Sequence, residues 1–185
     1  DEGYVNSLKG IGILKGNYEK KRLVPFGEYL PMGELSGYLF NLFQLDRPNI
    51  VKGANNSFIS GDDLIIGSSI CYEIAYQDDV AFQAKNSDVI FSASNDNWFG
   101  TTIGPHQHLQ IARYRAAENQ KPLLRSTSTG ISAAINFRGQ VIKQIPTFVN
   151  FNDKNESYDG QILKAKINAR RGLTPYKETG KYPFL

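Results

Sequence analysis

Cys71 is the only cysteine in the chain, and its surroundings give a thiol something to do. It follows the apolar run Leu64–Ile70 and precedes Tyr72-Glu73. A residue at the C-terminal end of a buried strand that leads into a helix sits where α/β proteins place ligands. A helix N-terminus and nearby cations lower a thiol's pKa there and make it a nucleophile. The competing reading is a small buried hydrophobe, since free cysteine is among the most buried residue types.

A second cluster runs from Tyr18 to Pro31, with the charges Glu19, Lys20, Lys21, Arg22 and Glu28 around the stiff turn Val24-Pro25-Phe26-Gly27. Lys20 is suited to hold a developing oxyanion, and Glu28 to orient it or move a proton. A solvated charged loop is the plainer alternative. The third cluster is Ser94-Asn95-Asp96-Asn97-Trp98-Phe99-Gly100, which holds the sole tryptophan. Trp98 and Phe99, on a loop among small polar residues, suit a pocket lip. They equally suit a capped turn that fills a core edge. His106 and His108 follow, but side chains at i, i+2 do not share a helix face. No Cys or acid stands at metal-ligand spacing beside them, so no metal site is expected.

These clusters need a frame. The chain has 185 residues, one domain's worth, and burial at this length can support a core without staples. Apolar residues make up 41% and charged residues 21%, which excludes a disordered, collagenous or coiled-coil chain. A net charge of +3 with scattered basic residues gives no argument for nucleic acid. No run of about 18 apolar residues is present to span a bilayer. A lone cysteine permits no intrachain disulfide and leaves the redox compartment open.

Apolar spacing predicts strand–turn–strand over 5–14, a loop over 18–31, a helix over 33–45 and an irregular connection over 46–63. It then predicts a strand at Leu64–Ile70, a helix over 75–86, a strand over 88–93 and the best helix over 107–120. Strands over 122–126, 131–137 and 140–145 follow, the last two joined at Arg138-Gly139, with one more strand over 160–167. Strands alternating with helices, then a hairpin, predict an α/β layered fold around a largely buried mixed sheet.

The clusters together resemble the nitrilase, or carbon–nitrogen hydrolase, superfamily, whose centre is a Glu-Lys-Cys triad. The resemblance rests on Tyr18-Glu19-Lys20, on Leu23 through Pro31, and on Ile70-Cys71-Tyr72-Glu73. It continues in Ser94 through Gly100, Gly104-Pro105-His106-Gln107-His108, Pro122 through Thr127 and Gly172-Leu173-Thr174-Pro175-Tyr176. Val24 through Glu28 and Asn95 through Gly100 are closer to one branch, the apolipoprotein N-acyltransferases of bacterial envelopes. The fold this implies is a four-layer α-β-β-α sandwich, of which residues 1–185 are an incomplete, C-terminal portion.

The resemblance implies Cys71 as nucleophile, Lys20 as the triad lysine and Glu28 as a second glutamate near the centre. Tyr72 and Glu73 match residues flanking the nucleophile, and Trp98 and Phe99 join them in substrate binding or support. The implied reaction moves an acyl chain from a phospholipid, through a Cys71 thioester, to the N-terminal diacylglyceryl-cysteine of a lipoprotein. It uses no cofactor, and takes place on the outer side of the bacterial inner membrane. In this family the general-base glutamate precedes the lysine by a strand, a helix and a further strand. Only 19 residues precede Lys20 here, and Glu2 is too close to serve, because a crossover alone needs a dozen or more residues. The base and the membrane helices are therefore expected outside this chain. Two rivals stand beside this reading: a soluble amidase or nitrilase using the same triad, and an inactive nitrilase-like binding module. The stretch Gly37 through Phe43 and the basic residues Lys164, Lys166, Arg170, Arg171, Lys177 and Lys181 are candidates for lipid contact, or for ordinary core and solvated surface.

Overall fold

A computed structural model describes residues 3–29, 31, 49–54, 57–145, 162–172 and 174–175. The helix expected over 33–45 lies outside those residues, as do Lys177 and Lys181.

The described residues form two sheets. Strands β1 (Ser7–Lys9) and β2 (Asn17–Glu19) form an antiparallel pair with Leu8 opposite Tyr18. The expected strand–turn–strand is there, but its return strand lies beyond 5–14 and overlaps the start of the stretch read as a loop. The larger sheet has β3 (Ile59–Gly61), β4 (Leu64–Ile70), β5 (Val89–Ser94), β6 (Leu123–Thr127), β7 (Ser132–Ile135) and β8 (Val141–Ile145), in that spatial order. Strands β4, β5 and β6 are parallel; the outer pairings are antiparallel. Parallel neighbours need a crossover, and the two crossovers carry helices α1 (Gln77–Lys85) and α2 (Gly104–Asn119). Strand β3 falls within the connection read as irregular. It pairs through the two-residue turn Asp62-Asp63, with Asp62 at φ +42°.

Both helices cover one face of the large sheet. Val80 and Ala84 of α1 and Leu109, Ala112 and Ala116 of α2 pack on Ile90, Leu123, Ala133 and Ile135. This apolar cluster is the core and the main source of stability. Helix α1 is shorter than expected because Cys71–Ala75 forms a separate 3₁₀ turn ahead of it. Asp78 and Asp79 in its first turn and Lys85 in its last suit the helix dipole. Helix α2 starts with a proline in its first turn and ends on Gln120 in the left-handed region at φ +46°. The β7–β8 hairpin turns at Gly139, whose φ of +76° and 2.6 Å approach of a would-be Cβ to the Arg113 carbonyl exclude a side chain.

The described part of the strand expected over 160–167 carries no strand. Residues 162–172 form instead an extended strap. Arg170 N–H donates to the Asp88 carbonyl at 3.0 Å, and buried Lys121 donates to the carbonyls of Ser87 (2.6 Å) and Arg170. Arg171 reaches the Asp88 carboxylate at 2.9 Å, and the Arg170 guanidinium lies 3.9 Å over the Phe137 ring. Arg170 and Arg171 thus both make contacts within the protein, while the Arg171 side chain stays largely exposed at the surface. Among the described residues no helix is long and apolar enough to cross a membrane.

Candidate active site

The C-terminal ends of β4, β5 and β6 meet the small sheet across a cleft of about 560 Å³. Asn6, Ser7, Leu8, Lys20 and Glu28 line one side. Ile70, Cys71, Ala93, Ser94, Asn95, Trp98 and Ser126 to Ser128 line the other. Residues 51 positions apart in sequence, Lys20 and Cys71, thus face one cavity, at the strand ends where open α/β sheets bind ligands.

Cys71 is the first residue after β4 and opens the 3₁₀ turn Cys71–Ala75. Its φ of +56° places an L-residue in the left-handed region, at a cost of about 1–2 kcal/mol. Such a conformation persists only where the surroundings over-determine it. Here they do so from two sides. The Glu73 carboxylate accepts from Ile70 N–H at 2.8 Å, closing the turn over Cys71. Arg115 of α2 donates to the carbonyls of Ile74 (3.0 Å) and Ala75 (3.4 Å), holding the far end of the turn.

Lys20 is fully buried, just past the end of β2. Its Nζ donates to both Glu28 oxygens, at 2.6 and 2.7 Å. Glu28 also accepts from Val24 N–H at 2.9 Å and Asn6 Nδ2 at 3.1 Å. A buried ammonium is tolerable only with such a partner. The charged run thus brings Lys20 and Glu28 to the cleft, while Arg22 stays exposed beside Asp79. Its turn contains Phe26 at φ +61° and a bridge between Pro25 and Tyr29.

Glu73 is buried at 2% exposure and makes the link between the two halves. Besides Ile70 it accepts from the Tyr18 hydroxyl (2.9 Å) and from the backbone N–H of Lys21 (2.7 Å) and Arg22 (3.1 Å). With four donors on its two oxygens it is a brace, tying the strand that presents Lys20 to the turn that presents Cys71. Burial, then the adjacent Glu73 charge and hydrogen bond, push the Tyr18 phenol far above its ordinary value, so it stays a donor. Tyr72 is half-exposed, packs edge-on against Tyr76 at 5.8 Å and does not line the cleft. Trp98 lines it from an exposed position on the 3₁₀ turn Asp96–Phe99. Phe99 does not; its ring packs edge-on against His108 at 5.7 Å.

Behind Cys71 lies a buried polar cluster whose role spacing did not reveal. Asp96 accepts from Arg125 Nη2 (2.7 Å) and from the Ser94 hydroxyl (2.7 Å), and it lies 3.0 Å from His108 Nδ1. His108 Nε2 is 3.3 Å from the Cys71 carbonyl oxygen. Burial opposes the Asp96 charge, but the His108 hydrogen bond, the Arg125 charge and the Ser94 hydroxyl outweigh it, lowering the pKa to about 2. Burial lowers Arg125 from the ordinary guanidinium value, against the countervailing charges of Asp96 and Cys71. Asp96, His108 and Arg125 all stood inside segments marked for resemblance. The signal for the cluster was that they came from three segments meeting at one strand end, which spacing alone does not display. His106 does not join His108, as the i, i+2 spacing requires. Among the described residues no group of three or more His, Cys, Asp or Glu could hold a metal ion.

A mixed α/β sheet thus presents a cysteine in the left-handed region at a strand end, facing a buried lysine–glutamate pair across one cleft. Residues 5–150 match the carbon-nitrogen hydrolase family, and the chain belongs to it. Relatives named apolipoprotein N-acyltransferase include one from Photobacterium profundum, 39% identical over 169 residues, covering 90% of this chain and 31% of that protein. Another, from Pseudomonas paraeruginosa, is 36% identical over 182 residues, covering 98% and 34%. The chain thus spans about a third of the length of these curated relatives. Among solved structures, the C. elegans NitFhit protein aligns at TM-score 0.54 and 18% identity, over 73% of this chain and 32% of that one. A carbon-nitrogen hydrolase from Helicobacter pylori aligns at 0.51 and 15%, over 70% and 47%. These likenesses agree with the α/β nitrilase-like fold expected from the sequence.

Proposed function

We propose that this chain is the nucleophile-bearing part of a longer acyltransferase that moves an acyl chain from a phospholipid to the N-terminal amine of a bacterial lipoprotein. The observation that carries the reading is the shared cleft: Cys71, on its strained turn, faces the buried Lys20–Glu28 pair. The names of the relatives support the choice of acyl transfer over amide hydrolysis.

In the proposed first step a carboxylate base takes the Cys71 proton. The thiolate attacks the phospholipid ester carbon, a C–S bond forms, and the C–O bond to the lyso-phospholipid breaks. The base returns its proton to the departing alkoxide. Lys20 donates to the oxyanion in between, with Glu28 fixing its direction; one such donor is typically worth ~3 kcal/mol of barrier. In the second step the lipoprotein's α-amine attacks the thioester. A C–N bond forms, the C–S bond breaks, and the amine's proton passes to the base as thiolate is regenerated. Glu28 is committed to Lys20 and Glu73 to its four donors, so neither is free to act as the base. The base is assigned to a segment preceding residue 1, and anchoring in the inner membrane, with the cleft on its outer side, to segments outside this chain. No cofactor enters the scheme.

The test uses the full-length protein with phosphatidylethanolamine and a diacylglyceryl-cysteine peptide. N-acylated peptide is expected from the wild type and none from Cys71→Ala. A Cys71→Ala protein that still acylates the peptide overturns the reading.

A further inference from the structure

We propose that Asp96, Arg125 and His108 form a positioning unit for the nucleophile, in which His108 Nε2–H holds the Cys71 carbonyl and thereby the turn that aims Sγ into the cleft. The inference rests on the reading of Cys71 as the acyl carrier. It adds a device from the helical side of the sheet that the triad does not include.

The contacts restrict the histidine's hydrogen placement. His108 Nδ1 lies 3.0 Å from Asp96 Oδ1 and 2.9 Å from Arg125 Nη2. If neutral His108 accepts at Nδ1 from Arg125, its hydrogen is on Nε2. If His108 is charged, both nitrogens carry one and Nδ1 donates to Asp96. Only the neutral form protonated at Nδ1 leaves Nε2 bare. That form sets two lone pairs against each other at the Cys71 carbonyl, which can only accept, so the carbonyl at 3.3 Å selects a form that carries hydrogen on Nε2.

The unit is built to be rigid. His108 is 3% exposed and Asp96 1%, and Arg125 lies on β6 between Leu124 and Ser126. A Cβ at Gly130 would run into the Asp96 carboxylate, so the backbone closes over it. Phe99 seals the other side of the His108 ring. Ser94, whose hydroxyl donates to Asp96, is itself a cleft residue, so the unit touches the cavity wall at two points. Without the His108 contact the left-handed turn loses its only side-chain hold on the Cys71 carbonyl among the described residues, and Sγ loses its fixed approach.

The test separates positioning from packing. A Gln amide can reach the place of Nε2, whereas an Asn amide reaches only the place of Nδ1. The readout is the rate of iodoacetamide alkylation of Cys71, followed on the Cys71 peptide of the full-length protein, beside thermal midpoint. His108→Asn is expected to slow alkylation at least tenfold and to lower kcat for acyl transfer with KM little changed. His108→Gln is expected to restore most of both. Equal behaviour of the two variants, or unchanged alkylation in folded His108→Asn, overturns the inference. Should His108→Asn not fold, His108→Gln decides alone: a tenfold loss overturns it, and a rate near wild type supports it. Alkylation that responds as expected in a protein that never takes an acyl group from phosphatidylethanolamine keeps the positioning unit and overturns the acyl-transfer reading instead.

Discussion

The Lys20–Glu28 pair shows how a single residue's burial decides its chemistry. A fully buried ammonium has no water to satisfy it, so its position depends wholly on the carboxylate at 2.6 and 2.7 Å. Among the described residues, Lys20→Met leaves that carboxylate with only Val24 and Asn6 as donors. The expected cost is about 3 kcal/mol in urea unfolding, typical of breaking a buried pair. Acyl transfer by the full-length protein should fall by about 10²–10³-fold for loss of one oxyanion donor. Retained transfer would remove Lys20 from the proposed site. Asp96 sets an acid limit. Its pKa is depressed, so the stability it contributes is present above the ordinary carboxylate value and is lost as pH falls from about 4 toward about 2. Asp96→Asn should flatten that limb of a stability-against-pH curve; an unchanged limb contradicts the assignment. Cys71, Lys20 and Glu28 were legible in sequence because each stands in a distinctive local run. The brace made by Glu73 was not, because its donors Tyr18, Lys21 and Arg22 lie more than fifty residues away and two act through backbone N–H groups.

Among the elements, the parallel centre β4-α1-β5-α2-β6 was the readable part. Continuous apolar runs between helical spacings are what the strands of a buried parallel sheet show. The edges were not readable. Strand β3 is three residues long and carries Ser60 and Gly61, too short for alternation to show. The segment 162–172 alternates apolar residues as a strand would, yet it is held by Lys121, Arg170 and Arg171 contacts with no ladder. Helix α2 matched its reading at the C-terminal end, and its stop is improvable. Gln120 occupies a left-handed position at φ +46° while its N–H bonds back to Ala116 and Ala117. Gln120→Gly should therefore stabilise the protein by about 0.5–1 kcal/mol. A loss of stability in chemical denaturation would show that the Gln120 side chain matters more than its backbone.

At the scale of the molecule, the cleft is a meeting of two sheets, and only the meeting makes a site. Cys71 arrives from the large sheet, Lys20 from the small one, and Glu73 is the hydrogen-bonded link between them. In the proposed reaction Trp98, largely exposed at the cleft wall, would screen the thioester from water when substrate lies against it. Trp98→Gln should raise thioester hydrolysis relative to transfer, read as free fatty acid against N-acyl peptide; an unchanged ratio removes that role. The central claim is that Cys71 carries the acyl group. Its most direct test is intact mass spectrometry of the full-length protein after incubation with phosphatidylethanolamine alone. The account predicts an acyl-sized increment that maps to Cys71 and disappears when the diacylglyceryl-cysteine peptide is added, as N-acyl peptide forms. No increment on a reduced, accessible Cys71, or an increment mapped elsewhere, would contradict it.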